Sequence, residues 1–289
     1  MVFFHSYRPL FIALFFSSDP VRGIPPPGLL RRPPSSPAYE SRQPPPDVSS
    51  STISQPLDHR AAGNNSSSAP AASYEQRYFS TDRYALSSSS LHVGFLCVGG
   101  EGPPLSPHVL SDSVHCTGDM LETARRLHAE GTSVRMYALE HRYYGESLPD
   151  FGDGPVDYAY LSSRQALADL AQFVTAMGAA HDISRWVSFG GSYPGMLAAW
   201  SRTMYPHLVF AAVSNSAPVG FRLDMPGYYD AVARDLADAR VGGSDGCLDV
   251  VRGGHALLQD LVGTEGGRAE VARKFGLCDP SALGDASRR

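Results

Sequence analysis

Short apolar runs alternate with longer segments of helical spacing from residue 92 onward. The apolar runs predict strands at 92–98, 133–139, 185–189 and 209–213. The intervening segments predict helices at 120–130, 162–177 and 194–204. Ser162 and Gln165 have the spacing of a helix cap, and Gly131 suits the end of the first helix. Strands separated by such helices predict an α/β fold with a mostly parallel sheet and helical crossovers.

The regions on either side of this pattern differ in composition. Residues 20–56 contain 11 prolines in 37 positions, and a chain of this kind buries too little apolar surface to offset its ordering entropy. We therefore expect a disordered linker at 23–73 and a folded core at 74–220. Residues 221–289 predict helical pieces, broken at Gly242-Gly243 and Gly253-Gly254, that begin a helical cap.

Bulk properties exclude several classes of function. The chain has 289 residues, is 43% hydrophobic and carries a formal net charge of −5 without a cluster of basic residues. A nucleic-acid partner is therefore not expected, because phosphate binding needs concentrated positive charge. No apolar run reaches the roughly 20 residues of a membrane-spanning helix. The four cysteines form no C-x-x-C pair of the kind that binds zinc, and we expect neither a metal nor a cofactor.

Features of the N-terminal region favour secretion. An apolar run at 10–16, preceded by His5 and Arg8, is typical of a signal peptide, which we place at residues 1–22. Asn64 and Asn65 begin overlapping N-x-S glycosylation sequons.

The four cysteines leave two readings open at this point. In a secreted chain Cys247 and Cys278 could form a disulfide, and the alternative is four free buried thiols.

The candidate chemistry centres on Ser192. It lies between a predicted strand and a predicted helix, in a turn containing Gly190, Gly191 and Gly195. Small residues allow the close approach of strand and helix, and the Tyr193 backbone N–H can donate to an oxyanion. The turn resembles the nucleophile elbow of α/β-hydrolases, except that Pro194 stands where that pattern has glycine.

Two further turns follow predicted strands. Gly100 and Glu101 lie where α/β-hydrolases place the second oxyanion donor. The turn 140–147 contains His141, but these enzymes order their triad as serine, acid and then histidine, so His141 comes too early. We interpret that turn as structural support, with Glu140 and Arg142 paired beneath the site.

Several segments together resemble one family. GGSYPGMLAAW at 190–200, EHRYYGES at 140–147, SSRQALADLAQFV at 162–174 and SNSAPV at 214–219 resemble the prolyl-carboxypeptidase family of serine peptidases. That family includes lysosomal Pro-Xaa carboxypeptidase, dipeptidyl-peptidase II and thymus-specific serine protease. The resemblance implies an α/β-hydrolase core with a helical cap.

The resemblance also implies a function. It implies a serine exopeptidase that cleaves peptides with proline near the cleaved end, through an acyl-enzyme on Ser192. It further implies a secreted or lysosomal/vacuolar glycoprotein, a role for Cys247 and Cys278 as cap cysteines, and a homodimer as an expectation for the full-length form. Carboxypeptidase and dipeptidyl-peptidase action both stay open.

The triad Asp and His are not in this chain on this interpretation. Family members supply both after the cap, whereas 97 residues follow Ser192 here, and neither His207 nor His255 has a clear approach to it. We therefore expect a truncated chain with little peptidase activity of its own. One alternative is a catalytically inactive truncated homologue that acts at most as a binding protein. The other is an esterase or lipase on the same fold.

Overall fold

The protein is described by a computed structural model over residues 43–62, 72–112, 116–152, 154–225, 227–277, 281 and 283. Two compact units divide the chain, with the boundary between Phe221 and Arg222. The predicted signal segment at 1–22 and the sequons at Asn64 and Asn65 lie outside the described residues.

The first unit is built on a six-stranded sheet. Its strands are β1 Ser49–Pro56, β2 Ser73–Tyr84, β3 His92–Val98, β4 Ser133–Leu139, β5 Arg185–Gly191 and β6 Val209–Asn215. They lie in the order β1-β2-β4-β3-β5-β6. The pairs formed by β4, β3, β5 and β6 are parallel, whereas β2 is antiparallel to both of its neighbours. The turns after the four parallel strands therefore meet at one edge of the sheet.

Helices cover both faces of this sheet. They are α1 His59–Ala62, α2 Thr117–Ala129, α3 Ser163–His181 and α4 Ser192–Met204. Alternate residues of β3 serve separate cores: Phe95 packs in one with Met120 of α2, and Leu96 packs in the other with Phe173 of α3 and Leu197 of α4. This alternation confirms the predicted α/β architecture.

Only one of the two hydrogen bonds of the predicted cap of α3 is formed. The Ser162 hydroxyl accepts a hydrogen bond from the Gln165 backbone N–H at 3.3 Å. The Gln165 side chain does not return this bond, because its amide nitrogen donates to Asp58 at 2.6 Å and its oxygen accepts from the His59 backbone at 3.0 Å. The Gln165 side chain therefore ties α3 to the segment after β1.

The prediction of a linker up to residue 73 was wrong in part. Ser49–Pro56 pairs with β2 along its whole length as an edge strand. Its polar sequence SSSTISQP is compatible with this place because most of its side chains are exposed, and backbone hydrogen bonds do not require an apolar face.

The second unit contains three further helices within its described part. They are α5 Gly227–Ala237, α6 Asp245–Val262 and α7 Glu265–Phe275. The predicted break at Gly253-Gly254 was wrong, because α6 continues through both residues. Gly242, by contrast, has a left-handed backbone and ends a helical turn before α6. In the described ranges of the chain, no helix has the length and apolarity needed to cross a membrane.

Candidate active site

Ser192 lies in a tight connection between β5 and α4. β5 ends at Gly191 and α4 begins at Ser192, so no loop residue separates them. Ser192 has φ of +58°, a left-handed conformation that costs a residue with a side chain about 1–3 kcal/mol. Its side chain is exposed. The sequence prediction of a sharp strand–serine–helix turn agrees with this geometry.

Close packing explains two of the three predicted turn glycines. A β-carbon at Gly190 would overlap the Pro194 carbonyl group. A β-carbon at Gly195 would lie 3.0 Å from the backbone oxygens of Asn215 and Gly190. Gly191 is different, because the nearest atom to its β-carbon would be the Asn215 oxygen at 3.9 Å, an ordinary contact. Gly190 and Gly195 therefore bring β5 and α4 together.

The turn after β3 packs against this connection. A β-carbon at Gly100 would overlap the Pro194 ring and lie 2.7 Å from its Cδ atom. The proline that departs from the elbow pattern therefore forms the surface against which Gly100 packs. The adjacent Gly99 is fixed by its N–H, which donates to the Leu139 carbonyl at 2.9 Å. Gly100 thus lies beside Pro194 and Tyr193, and Glu101 shares a cavity wall with Tyr193; the second oxyanion donor stays a prediction.

Glu140 is the buried anchor of the turn 140–147. Its carboxylate accepts two hydrogen bonds from the Arg77 guanidinium, at 2.6 and 3.2 Å. It also accepts from the Ser147 hydroxyl and the Glu146 N–H, both at 2.9 Å. A fifth bond comes from the Leu105 N–H at 3.1 Å. Because Leu105 lies in the same loop as Gly100, Glu140 joins that loop to its own turn.

Arg142 extends in another direction. Its guanidinium makes two 2.7 Å bonds to Asp169 of α3 and donates to the carbonyls of Pro56, Leu57 and Tyr160. The predicted pairing of Glu140 with Arg142 was therefore wrong. The two residues face different elements, so each finds its partner, Arg77 or Asp169, far away in sequence. Each of the two is held by buried hydrogen bonds to its own partner.

His141 lies between these two anchors and is buried. Its Nδ1 is 2.7 Å from the Arg142 carbonyl oxygen and its Nε2 is 3.0 Å from the Tyr193 hydroxyl. Burial lowers the pKa of His141 below its ordinary value of 6.5, whereas the bond to the Arg142 carbonyl and the charges of Asp169 and Glu101 oppose that shift. With both ring nitrogens engaged, His141 is a structural residue and not a base directed at Ser192.

A cavity of about 270 Å³ opens next to the strand–serine–helix turn. Its walls include Glu101, His141, Tyr144, Ser163 and Tyr193. Tyr193, which follows Ser192 directly, forms part of its wall. The sequence interpretation did not assign Tyr144 and Ser163 to the site, although both lie in segments that carry the family resemblance.

The sequence alternative of four free buried thiols was wrong. Cys97, at the end of β3, and Cys116, just before α2, form a disulfide with a Cα–Cα distance of 5.7 Å. Cys247 is an exposed free thiol in the first turns of α6, and Cys278, its possible partner in the sequence analysis, lies outside the described residues. The disulfide fixes the end of the strand that leads into Gly99 and Gly100.

The sheet order and the left-handed serine between β5 and α4 define an α/β-hydrolase core. Residues 55–287 match the family described as serine carboxypeptidase S28, and the chain belongs to that family of serine peptidases. This match confirms the resemblance inferred from the sequence.

Individual relatives agree with the family assignment. The chain is 36% identical to thymus-specific serine protease of Homo sapiens over 217 residues, which are 74% of this chain and 40% of that protein. It is 36% identical to lysosomal Pro-X carboxypeptidase of Homo sapiens over 156 residues, 51% of this chain and 28% of that protein. The chain thus spans about 40% of the length of the first of these relatives.

A solved structure, proline iminopeptidase of Mycobacterium smegmatis, aligns with a TM-score of 0.41 at 16% identity, over 77% of this chain and 60% of that one.

Proposed function

We propose that the protein is a serine peptidase that forms an acyl-enzyme on Ser192. The observation that carries this proposal is the exposed, left-handed Ser192 at the N-terminus of α4. A helix N-terminus favours developing negative charge, and the strained turn presents the hydroxyl at the edge of the sheet.

The oxyanion donors in this proposal are backbone groups. The N–H of Tyr193 belongs to the first helical turn, whose donors lack intrahelical acceptors. The second donor is an N–H of Gly100 or Glu101, supported by the packing of Gly100 against Pro194. Each such donor contributes about 10²–10³ to the rate.

The chemical sequence follows from this arrangement. Ser192 Oγ attacks the peptide carbonyl carbon, its proton passes to a base, and the C–N bond breaks as the amine leaves with a proton. Water then hydrolyses the ester. We assign the base to neither His141, whose nitrogens are engaged, nor His207, which lies beyond the far end of the 13-residue helix α4, about 20 Å from Ser192.

We further propose peptides with proline near the cleaved end as substrates, and a secreted or lysosomal location. The named relatives support both proposals, since one is a lysosomal Pro-X carboxypeptidase. The family match favours peptides over lipid esters.

The test is a peptide panel assayed with the protein expressed from its own gene. Pairs of substrates should differ only in proline or alanine at the cleaved end, with either the amino or the carboxyl terminus blocked. We expect at least a tenfold preference for proline, and loss of turnover in Ser192→Ala. Equal rates on both members of each pair would contradict the proposed proline specificity. Turnover that survives in Ser192→Ala would contradict the assignment of Ser192 as nucleophile.

A further inference from the structure

Three side chains from separate elements meet at the residue after Ser192. The Tyr193 hydroxyl lies 3.0 Å from His141 Nε2 and 3.2 Å from Ser163 Oγ. His141 belongs to the turn after β4, Ser163 to the first turn of α3, and Tyr193 to the first turn of α4. The tip of the Tyr193 side chain is therefore held by two elements other than its own helix.

The directions of these hydrogen bonds follow from the chemistry of the groups. The Arg142 carbonyl can only accept, so His141 Nδ1, at 2.7 Å from it, carries the proton. In the neutral ring Nε2 then accepts, and the Tyr193 hydroxyl donates to it. The remaining acceptor site of the Tyr193 oxygen receives the Ser163 hydroxyl proton. The bonds form one ordered chain, from Ser163 through Tyr193 to His141.

His141, the last residue in this series of hydrogen bonds, is held rigidly. On one side of His141, Glu140 accepts five hydrogen bonds, and on the other Arg142 is paired with Asp169 in the interior. The His141 ring also contacts the Tyr144 and Tyr193 rings, with centroid distances of 5.4 and 5.5 Å. Because the Tyr193 side chain is hydrogen-bonded to this rigidly held histidine, it cannot rotate freely.

We propose that His141 and Ser163 are positioning residues that, by holding the Tyr193 side chain, fix the direction of the Tyr193 backbone N–H. This inference rests on the proposed function, in which that N–H is an oxyanion donor. The physical reason is that Tyr193 is fixed at both ends. Its backbone belongs to the first turn of α4, and its hydroxyl is bound to His141 and Ser163. An oxyanion donor is effective only when it is held in place before charge develops.

Tyr193→Phe removes the hydroxyl and keeps the ring. In the protein expressed from its own gene we expect kcat to fall about tenfold and KM to change less than twofold, because the lost positioning acts on the transition state. His141→Phe should reproduce this loss, whereas His141→Gln, which keeps an acceptor near the Nε2 position, should recover most of it. Ser163→Ala is the milder variant should either ring substitution disturb folding.

The matched control is Tyr205→Phe, which removes a tyrosine hydroxyl just after the opposite end of α4 and should leave kcat unchanged. A kcat for Tyr193→Phe equal to that of the wild type would overturn the proposal. So would a His141→Gln variant as impaired as His141→Phe, because the acceptor would then not be the group that matters.

The backbone order parameter of residue 193, from NMR relaxation, gives a readout that needs no turnover. We expect it to fall in Tyr193→Phe and His141→Phe relative to the wild type, because the N–H vector is then held less firmly, with no change in Tyr205→Phe. An unchanged order parameter in Tyr193→Phe would overturn the positioning role. If the wild type shows no activity that depends on Ser192, the proposed function fails, and this order-parameter measurement alone then decides the positioning proposal.

Discussion

Arg142 and Asp169 form a two-point ion pair in the interior, with Nε–Oδ2 and Nη2–Oδ1 distances of 2.7 Å. Their side chains are 0% and 1% exposed. Asp169 also accepts from the Tyr74 hydroxyl at 2.9 Å and lies 2.7 Å from His59 Nε2. The pair thus joins α3 and the turn after β4 to the segments around β1 and β2.

Asp169→Asn should strongly destabilise the protein. The substitution leaves Arg142 charged and buried without its counter-charge, which costs about 3–5 kcal/mol. Chemical denaturation followed by circular dichroism measures the change. The matched control is Asp82→Asn, which breaks the more exposed pair that Asp82 forms with Arg135 and should change stability by at most about 1 kcal/mol. Equal losses in the two variants would contradict the role of burial.

Much of the fold could be predicted from the sequence because β3 to β6 are apolar on both faces and alternate with helices. β1 was missed because an exposed edge strand needs no apolar pattern, and its sequence lies in a proline- and serine-rich region. The helix break at Gly253-Gly254 was wrong because glycine lowers helix stability by only about 1 kcal/mol, which the rest of an 18-residue helix can outweigh.

The candidate site was predictable to a different extent. Ser192 and its glycines form a local motif, so their geometry could be inferred from neighbouring residues. Partners distant in sequence could not be inferred, because only the folded sheet brings Arg77 to Glu140 and Asp169 to Arg142. The Cys97–Cys116 disulfide was missed for the same reason, since no spacing rule connects the end of a strand to the residue before a helix.

Removing the disulfide should destabilise the first unit. A bridge between residues 19 positions apart limits the unfolded chain, and loops of this length contribute about 2–4 kcal/mol. The Cys97→Ala/Cys116→Ala double variant should show this loss in denaturant unfolding, and Cys247→Ala should show none because that thiol is free and exposed. An unfolding midpoint of the double variant equal to that of Cys247→Ala would be inconsistent with this assignment.

Gly100→Ala should impair the active site without unfolding the protein. The added methyl group would overlap the Pro194 ring and displace the proposed second oxyanion donor, so acylation should slow by about 10²-fold. Gly102→Ala is the matched control, because nothing lies within 4 Å of its β-carbon position. Rates of active-site labelling measure the effect, and similar rates in both variants would argue against a donor in this loop.

Acid should destabilise the protein partly through His141. Burial holds the pKa of folded His141 below the ordinary 6.5, so the unfolded chain binds this proton at higher pH than the folded chain does. The contribution of neutral His141 is therefore complete above pH 6.5 and is lost as the pH falls from there through the folded pKa.

Denaturation of wild type and His141→Gln at pH 7 and 5.5 isolates this effect. The wild type should lose more stability than the variant over this range, because glutamine does not titrate. A larger loss in the variant would mean that folding raises the pKa of His141.

The most direct test of the central claim is to map where a fluorophosphonate reacts. The protein expressed from its own gene is incubated with the reagent, digested, and analysed by mass spectrometry. We predict one adduct, on the Ser192 hydroxyl, and no adduct in Ser192→Ala, because only an activated serine reacts at neutral pH. An adduct on another serine, or no adduct on the folded protein, would contradict the assignment of Ser192 as the nucleophile.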